Sequence, residues 1–125
     1  MKKFEKDGKV NFVDDNNVFI GFEIDQSCCE NAGWFISDLE ETIIYDKDFR
    51  AIPRKDMDTT GFNFDTTYFK EVTEENQFDR GGLVRFKLTR GEKSLYLHLY
   101  NCHNGYYGHG FEAEIGGIKW RKGII

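Results

Sequence analysis

Hydrophobic and polar residues alternate with period two along much of this chain, the mark of half-buried β-strands rather than helices. Val84, Phe86 and Leu88 alternate with Arg85, Lys87 and Thr89, and Leu95, Leu97 and Leu99 alternate with Tyr96, His98 and Tyr100. Between them, Arg90-Gly91-Glu92-Lys93 reads as a two-residue hairpin with glycine first, which suits a type II′ turn. Leu88 then faces Leu95, Phe86 faces Leu97 and Val84 faces Leu99. A slip of one residue would set leucine against charge, so the pattern specifies the register.

The last hairpin reads the same way. Phe111, Ala113 and Ile115 alternate with Glu112 and Glu114, and Gly116-Gly117 precedes Ile118, Lys119, Trp120 and Arg121. With the glycine pair as the turn, Ile115 faces Ile118, Ala113 faces Trp120, Glu114 meets Lys119 and Glu112 meets Arg121. A small residue opposite a large one, with opposite charges on the other face, favours such a ladder. Joined through residues 102–110, the two hairpins are expected to make a four-stranded C-terminal antiparallel meander. Upstream, Val18, Ile20, Phe22 and Ile24 alternate with Phe19, Gly21, Glu23 and Asp25. Residues 10–13 form a second run, separated by the turn cluster Asp14-Asp15-Asn16-Asn17. Their mutual register is left open.

Residues 37–82 are less determined. Ser37-Asp38-Leu39-Glu40 fits a capping box that would start a short helix. Ile43-Ile44-Tyr45 fits a strand equally well. Phe62 and Phe64 alternate around Asn63, and residues 68–76 fit a strand or a helical turn. The expectation is one domain over residues 1–125, mostly β, of five to eight strands. It is a β-sandwich or partly open barrel with at most one or two short helices.

Composition agrees. Aromatic residues make up 16% of the 125 residues, alanine appears only at Ala32, Ala51 and Ala113, and thirteen glycines stand against one proline. Aromatic and β-branched residues suit pleated sheet, whereas helical domains draw on alanine and leucine. The formal net charge of -5 argues against a phosphate-backbone partner, so nucleic acid is not expected. No apolar run approaches the ~20 residues of a membrane span. The start, Met1-Lys2-Lys3-Phe4-Glu5-Lys6, has no apolar secretory core, so a cytoplasmic location is expected.

Candidate chemistry gathers in two stretches, residues 25–36 and 98–111, which hold all three cysteines and all three histidines. Thiolate and imidazole are zinc's preferred ligands, and four close a tetrahedral site. Cys102, His103 and His109, with Cys28 or Cys29, supply such a set. There is no CxxC pair, however, and adjacent cysteines rarely share one ion. The competing reading makes the cysteines buried small hydrophobes. A thiol nucleophile with His103 or His109 as base and Asp25 or Asn104 as orienter is a third reading, without a local signature. Three cysteines and no oxidising context argue for free thiols. Asp56-Met57-Asp58 resembles a calcium loop, but Thr67 stands where a bidentate Glu is needed, so it reads as a turn. Trp34, Phe35, Tyr106 and Tyr107 supply aromatic anchors for a partner, unless they merely cover the open end of the sheet. Acidic pairs such as Asp14-Asp15 and Glu74-Glu75 would steer toward a basic partner surface, unless they are ordinary solvated charge.

The stretches DQSCCENAGWFI (25–36), LYLHLYNCHNGYYGHGFE (95–112) and VNFVDDNNVFIGFEI (10–24) together resemble a family of small uncharacterised bacterial, phage and mobile-element proteins, over about half the chain. The resemblance implies a cytoplasmic accessory role, in which small acidic proteins act by binding host factors. It brings no activity with it. The leading expectation is therefore a non-enzymatic protein-interaction module without a cofactor. Its binding residues would be Cys28, Cys29, Trp34, Asn101, His103, Asn104, Tyr106, Tyr107 and His109. The alternative is a zinc protein using Cys28, Cys29, Cys102, His103 and His109, and the third a small cysteine-dependent enzyme. Oligomeric state is not legible.

Overall fold

Two-residue turns with positive φ lay out the hairpins. The computed structural model describes residues 1–25, 30–40, 57–72, 82–103 and 108–125, with backbone alone at 30, 31, 72, 102 and 103. Asp7 and Gly8 both take positive φ (53° and 74°), the type I′ geometry that matches the right-handed twist of two strands. They join β1 (Lys2–Lys6) to β2 (Lys9–Val13). Gly91 has φ 61° while Glu92 does not turn positive, so the expected type II′ turn joins β7 (Gly82–Arg90) to β8 (Lys93–His103). Gly116 and Gly117 join β9 (Gly110–Ile115) to β10 (Ile118–Ile124). The remaining strands are β3 (Val18–Glu23), β4 (Glu30–Ser37), β5 (Asn63–Phe64) and β6 (Lys70–Val72).

The strands form two antiparallel sheets, with no helix among the described residues. The first runs β1-β2-β3-β9-β10; the second runs β4-β8-β7-β5, with β6 also on β7. Both edges of the first sheet are rich in cations: Lys2, Lys3 and Lys6 on β1, and Lys119, Arg121 and Lys122 on β10. The inner faces bury one core. Val10, Phe12, Ile20, Phe22, Phe111 and Ala113 from one sheet meet Trp34, Ile36, Val84, Phe86, Leu88, Leu97 and Leu99 from the other.

The β7–β8 register is as the alternation predicts, with Leu88 on Leu95, Phe86 on Leu97 and Val84 on Leu99. The final hairpin agrees only near its turn. Ile115 faces Ile118 and Glu114 faces Lys119, but a bulge at Trp120 then sets Ala113 against Arg121 and Glu112 against Lys122. The extra residue lets Trp120 reach across to the core, 5.7 Å from the Phe86 ring. The structure closes the open register: Phe12 faces Ile20 and Val10 faces Phe22.

The four-stranded meander does not form. β8 and β9 lie in different sheets, because β9 pairs with β3 and β8 with β4. An edge-to-edge meander would leave one apolar face uncovered; stacking the hairpins face to face buries both. Phe86 and Phe111, one from each hairpin, meet at 6.5 Å across that interface. The ten strands among the described residues exceed the expected five to eight, chiefly because β1 and the short β5 and β6 add to them. Ser37 closes β4, and its hydroxyl accepts from the Leu39 N–H at 3.0 Å with no helical turn through residue 40. The expected continuation of that helix and the Ile43-Ile44-Tyr45 run lie outside the described residues.

Asp14 ties the sheets together. Its carboxylate is buried and accepts from the N–H groups of Asn16 (2.9 Å), Val18 (2.9 Å) and Phe64 (2.8 Å). The first two close the β2–β3 turn, and the third holds β5 of the opposite sheet. Asp14 is therefore not part of a displayed acidic surface. Asp14→Ala should strand three N–H donors and lower the unfolding free energy by about 2–4 kcal/mol, read from denaturant midpoints at unchanged slope.

Candidate functional site

The sandwich brings the two Cys/His stretches to one end. β3 ends and β4 begins there, and β8 ends and β9 begins there, because both connections cross from one sheet to the other. β4 and β8 are neighbours, with Glu30 paired to His103 and Asn31 to Cys102. The backbone of residue 30, the position after Cys29, thus lies beside His103 in the middle of the second stretch. Cys28, Cys29, Asn104, Tyr106 and Tyr107 lie outside the described residues, as do the side chains of Cys102 and His103.

The described candidates at this end have structural surroundings. Trp34 is not presented on a loop. It sits within β4, 1% exposed, edge-on to Phe12 at 5.3 Å with Lys3 Nζ 4.6 Å from the ring centre. Phe35, on the other face, stacks on His98 at 4.2 Å. Asn101 is buried, and its Nδ2 donates to the Ile125 carbonyl at 2.8 Å. His109 is buried as well. Its backbone exchanges hydrogen bonds with Ile125, at 2.7 and 2.9 Å, and its Nδ1 lies 2.6 Å from the Glu23 carbonyl. A carbonyl only accepts, so Nδ1 carries the ring proton. Asn101 and His109 thus share one task, holding Ile125 against the core.

Among the described residues, carboxylates line a solvent-facing pocket at this end. A pocket of about 210 Å³ is lined by Asp7, Gly8, Lys9, Glu23, Asp25 and His109. A Cβ on Gly8 would collide with the Asp25 carboxylate, so that carboxylate rests directly on the β1–β2 turn. Glu23 accepts from the Gly110 N–H at 3.1 Å. Lys9 is drawn to Glu112 at 3.7 Å, leaving the three carboxylates to dominate the pocket. Among the described residues, no group of three or more His, Cys, Asp or Glu side chains is placed to hold a metal.

A second cluster was not anticipated from the pattern. On the outer face of the second sheet, Arg85 and His98 pair across β7 and β8 and are both buried. Arg85 Nε donates to His98 Nδ1 at 3.3 Å, so the His98 ring proton sits on Nε2, which is buried and has no hydrogen-bond partner among the described residues. Burial, reinforced by the Arg85 charge, pulls the His98 pKa down to about 3. Beside them the Tyr68 hydroxyl donates to Glu40 Oε1 at 2.9 Å, and Lys70 Nζ meets the same oxygen at 2.6 Å. The Lys70 hydrogen bond, then the Tyr68 one, lowers the Glu40 pKa, and Glu40 in turn raises that of Lys70. Burial raises the Tyr68 phenol. Arg85 and His98 stand at polar positions of alternating strands, which period two assigns to solvent. Nothing in that pattern distinguishes a covered outer face from an open one.

Comparison with known protein families, with curated proteins and with solved structures finds no match for the chain.

His98 supplies a pH test. It is held neutral in the fold but titrates near 6.5 when unfolded, so unfolding takes up a proton below that pH. Stability should therefore fall as pH drops from about 6.5, by up to about 1.4 kcal/mol per unit, down to the folded pKa. Comparing urea unfolding at pH 7 and pH 5, His98→Gln should flatten the decline seen in the parent chain.

Proposed function

We propose that the protein is a non-enzymatic interaction module whose protein partner docks on the end of the sandwich where the β3–β4 and β8–β9 connections emerge. The observation that carries this reading is the Glu30–His103 pairing, which sets the two chemistry-bearing stretches side by side on adjacent strands. Aromatic residues in the second connection, Tyr106 and Tyr107, supply anchors of the kind that dominate binding energy. Asp7, Glu23 and Asp25 at the same end favour a basic partner surface, mainly through steering and orientation. A cytoplasmic accessory role of phage or mobile-element type belongs to the same reading, on the strength of the family resemblance.

Two variants test it in affinity capture from bacterial lysate at low and high ionic strength. Tyr106→Ala with Tyr107→Ala should abolish capture of the specific partner at both. Asp7→Asn with Asp25→Asn should weaken it at low ionic strength and remove much of its salt dependence. A partner set identical to that of the parent chain in both variants would rule the reading out.

The same pairing also favours a second reading, a zinc site that uses Cys28, Cys29, Cys102, His103 and His109. Asn31 against Cys102 brings the strand that follows Cys28 and Cys29 beside the one carrying Cys102 and His103. Native mass spectrometry distinguishes the two. This second reading expects one zinc per chain, lost to chelator together with a drop in thermal stability; an apo mass from metal-replete expression would eliminate it.

A further inference from the structure

We propose that Lys70, Tyr68 and Arg85 form a binding cradle for an oxyanion, a phosphate or carboxylate group, and that Glu40 occupies this cradle in the free protein. Arg85 is 5% exposed, and a buried guanidinium is costly unless an anion answers it. Among the described residues no carboxylate lies within ion-pair distance of Arg85. Its Nε is spent on His98 Nδ1, a neutral ring, and its cross-strand neighbour on β6 is another cation, Lys70. Glu40 feels the Arg85 charge only through space.

Glu40 shows what the cradle holds. One of its oxygens takes both the Lys70 ammonium and the Tyr68 hydroxyl, so a carboxylate oxygen already sits at the mouth, with Arg85 paired to Lys70 on the adjacent strand. Lys70 and Glu40 are half-exposed, which leaves the mouth open to solvent. With Glu40 in place, two cations face one anion. A diffusible oxyanion that displaced the Glu40 side chain would gain the same two donors, and Arg85, paired with Lys70 across β6 and β7, offers a guanidinium that binds two oxygens at once. Glu40 thereby acts as a tethered competitor. The cradle lies on the outer face of the second sheet and does not depend on the loops of the proposed docking end.

The test is an NMR titration of the full chain with inorganic phosphate and, separately, with acetate, following the Arg85 Nε–H and the amides of residues 68 and 70. Saturable shifts at these three groups are expected with at least one probe, and the probe that acts identifies the oxyanion. Glu40→Gln removes the competitor and should tighten binding about two- to fivefold, the range of an exposed ion pair. Lys70→Gln, at an exposed position where folding is not at stake, should weaken it by a similar factor. Arg85→Gln should abolish it. Absence of saturable shifts with both probes, or affinity unchanged or lower in Glu40→Gln, would overturn the proposal.

Discussion

Two apolar sheet faces must be covered at once, and everything else about this molecule follows from how that is done. Each hairpin of the C-terminal half carries a hydrophobic face that water would penalise, at about 25 cal/mol per Å² of exposed apolar surface. Laying the faces on each other requires the chain to leave one sheet and enter the other. It does so from β3 to β4 and from β8 to β9, at the same end. The adjacency of the two Cys/His stretches is thus a by-product of burying Phe86 against Phe111, Trp120 and their neighbours.

Asp14 illustrates how a polar group serves that packing. Three N–H donors converge on one buried carboxylate, two local and one from the opposite sheet. A side chain that looks like half of an acidic surface pair is spent on fixing the relation between sheets. His109 and Asn101 are used in a similar way around Ile125. In each case a residue type associated with binding or catalysis closes a backbone account that strand pairing leaves open.

Strand registers were legible where alternation and turn residues agreed, as in Leu88 opposite Leu95 across Gly91-Glu92. The Asp7-Gly8 turn carries an equally clear signal that an argument centred on apolar runs passes over, because the β1 sequence is mostly charged. The Trp120 bulge was not legible: alternation cannot register an inserted residue whose cause is a ring contact with a distant strand. Sheet membership was invisible for a related reason, since period two says which side chains share a face but not which face meets which. The same blindness hid the Arg85–His98 pair. Of the candidate residues, Asn101 and His109 are buried and hydrogen-bonded, and Trp34 is buried edge-on to Phe12. Tyr106, Tyr107, Asn104, Cys28 and Cys29 lie outside the described residues.

The cationic margins of the first sheet bear on how the protein behaves in company. A sheet edge is a row of unused backbone donors and acceptors, ready to recruit another strand. Here one margin carries Lys2, Lys3 and Lys6, and the other carries Lys119, Arg121 and Lys122 around a bulge. Like margins of two copies repel, and the bulge spoils the straight ladder that fibril growth needs. At high concentration, then, the molecule resists lengthening its sheet by copying itself, even though Ile118 and Ile124 lie open on that rim.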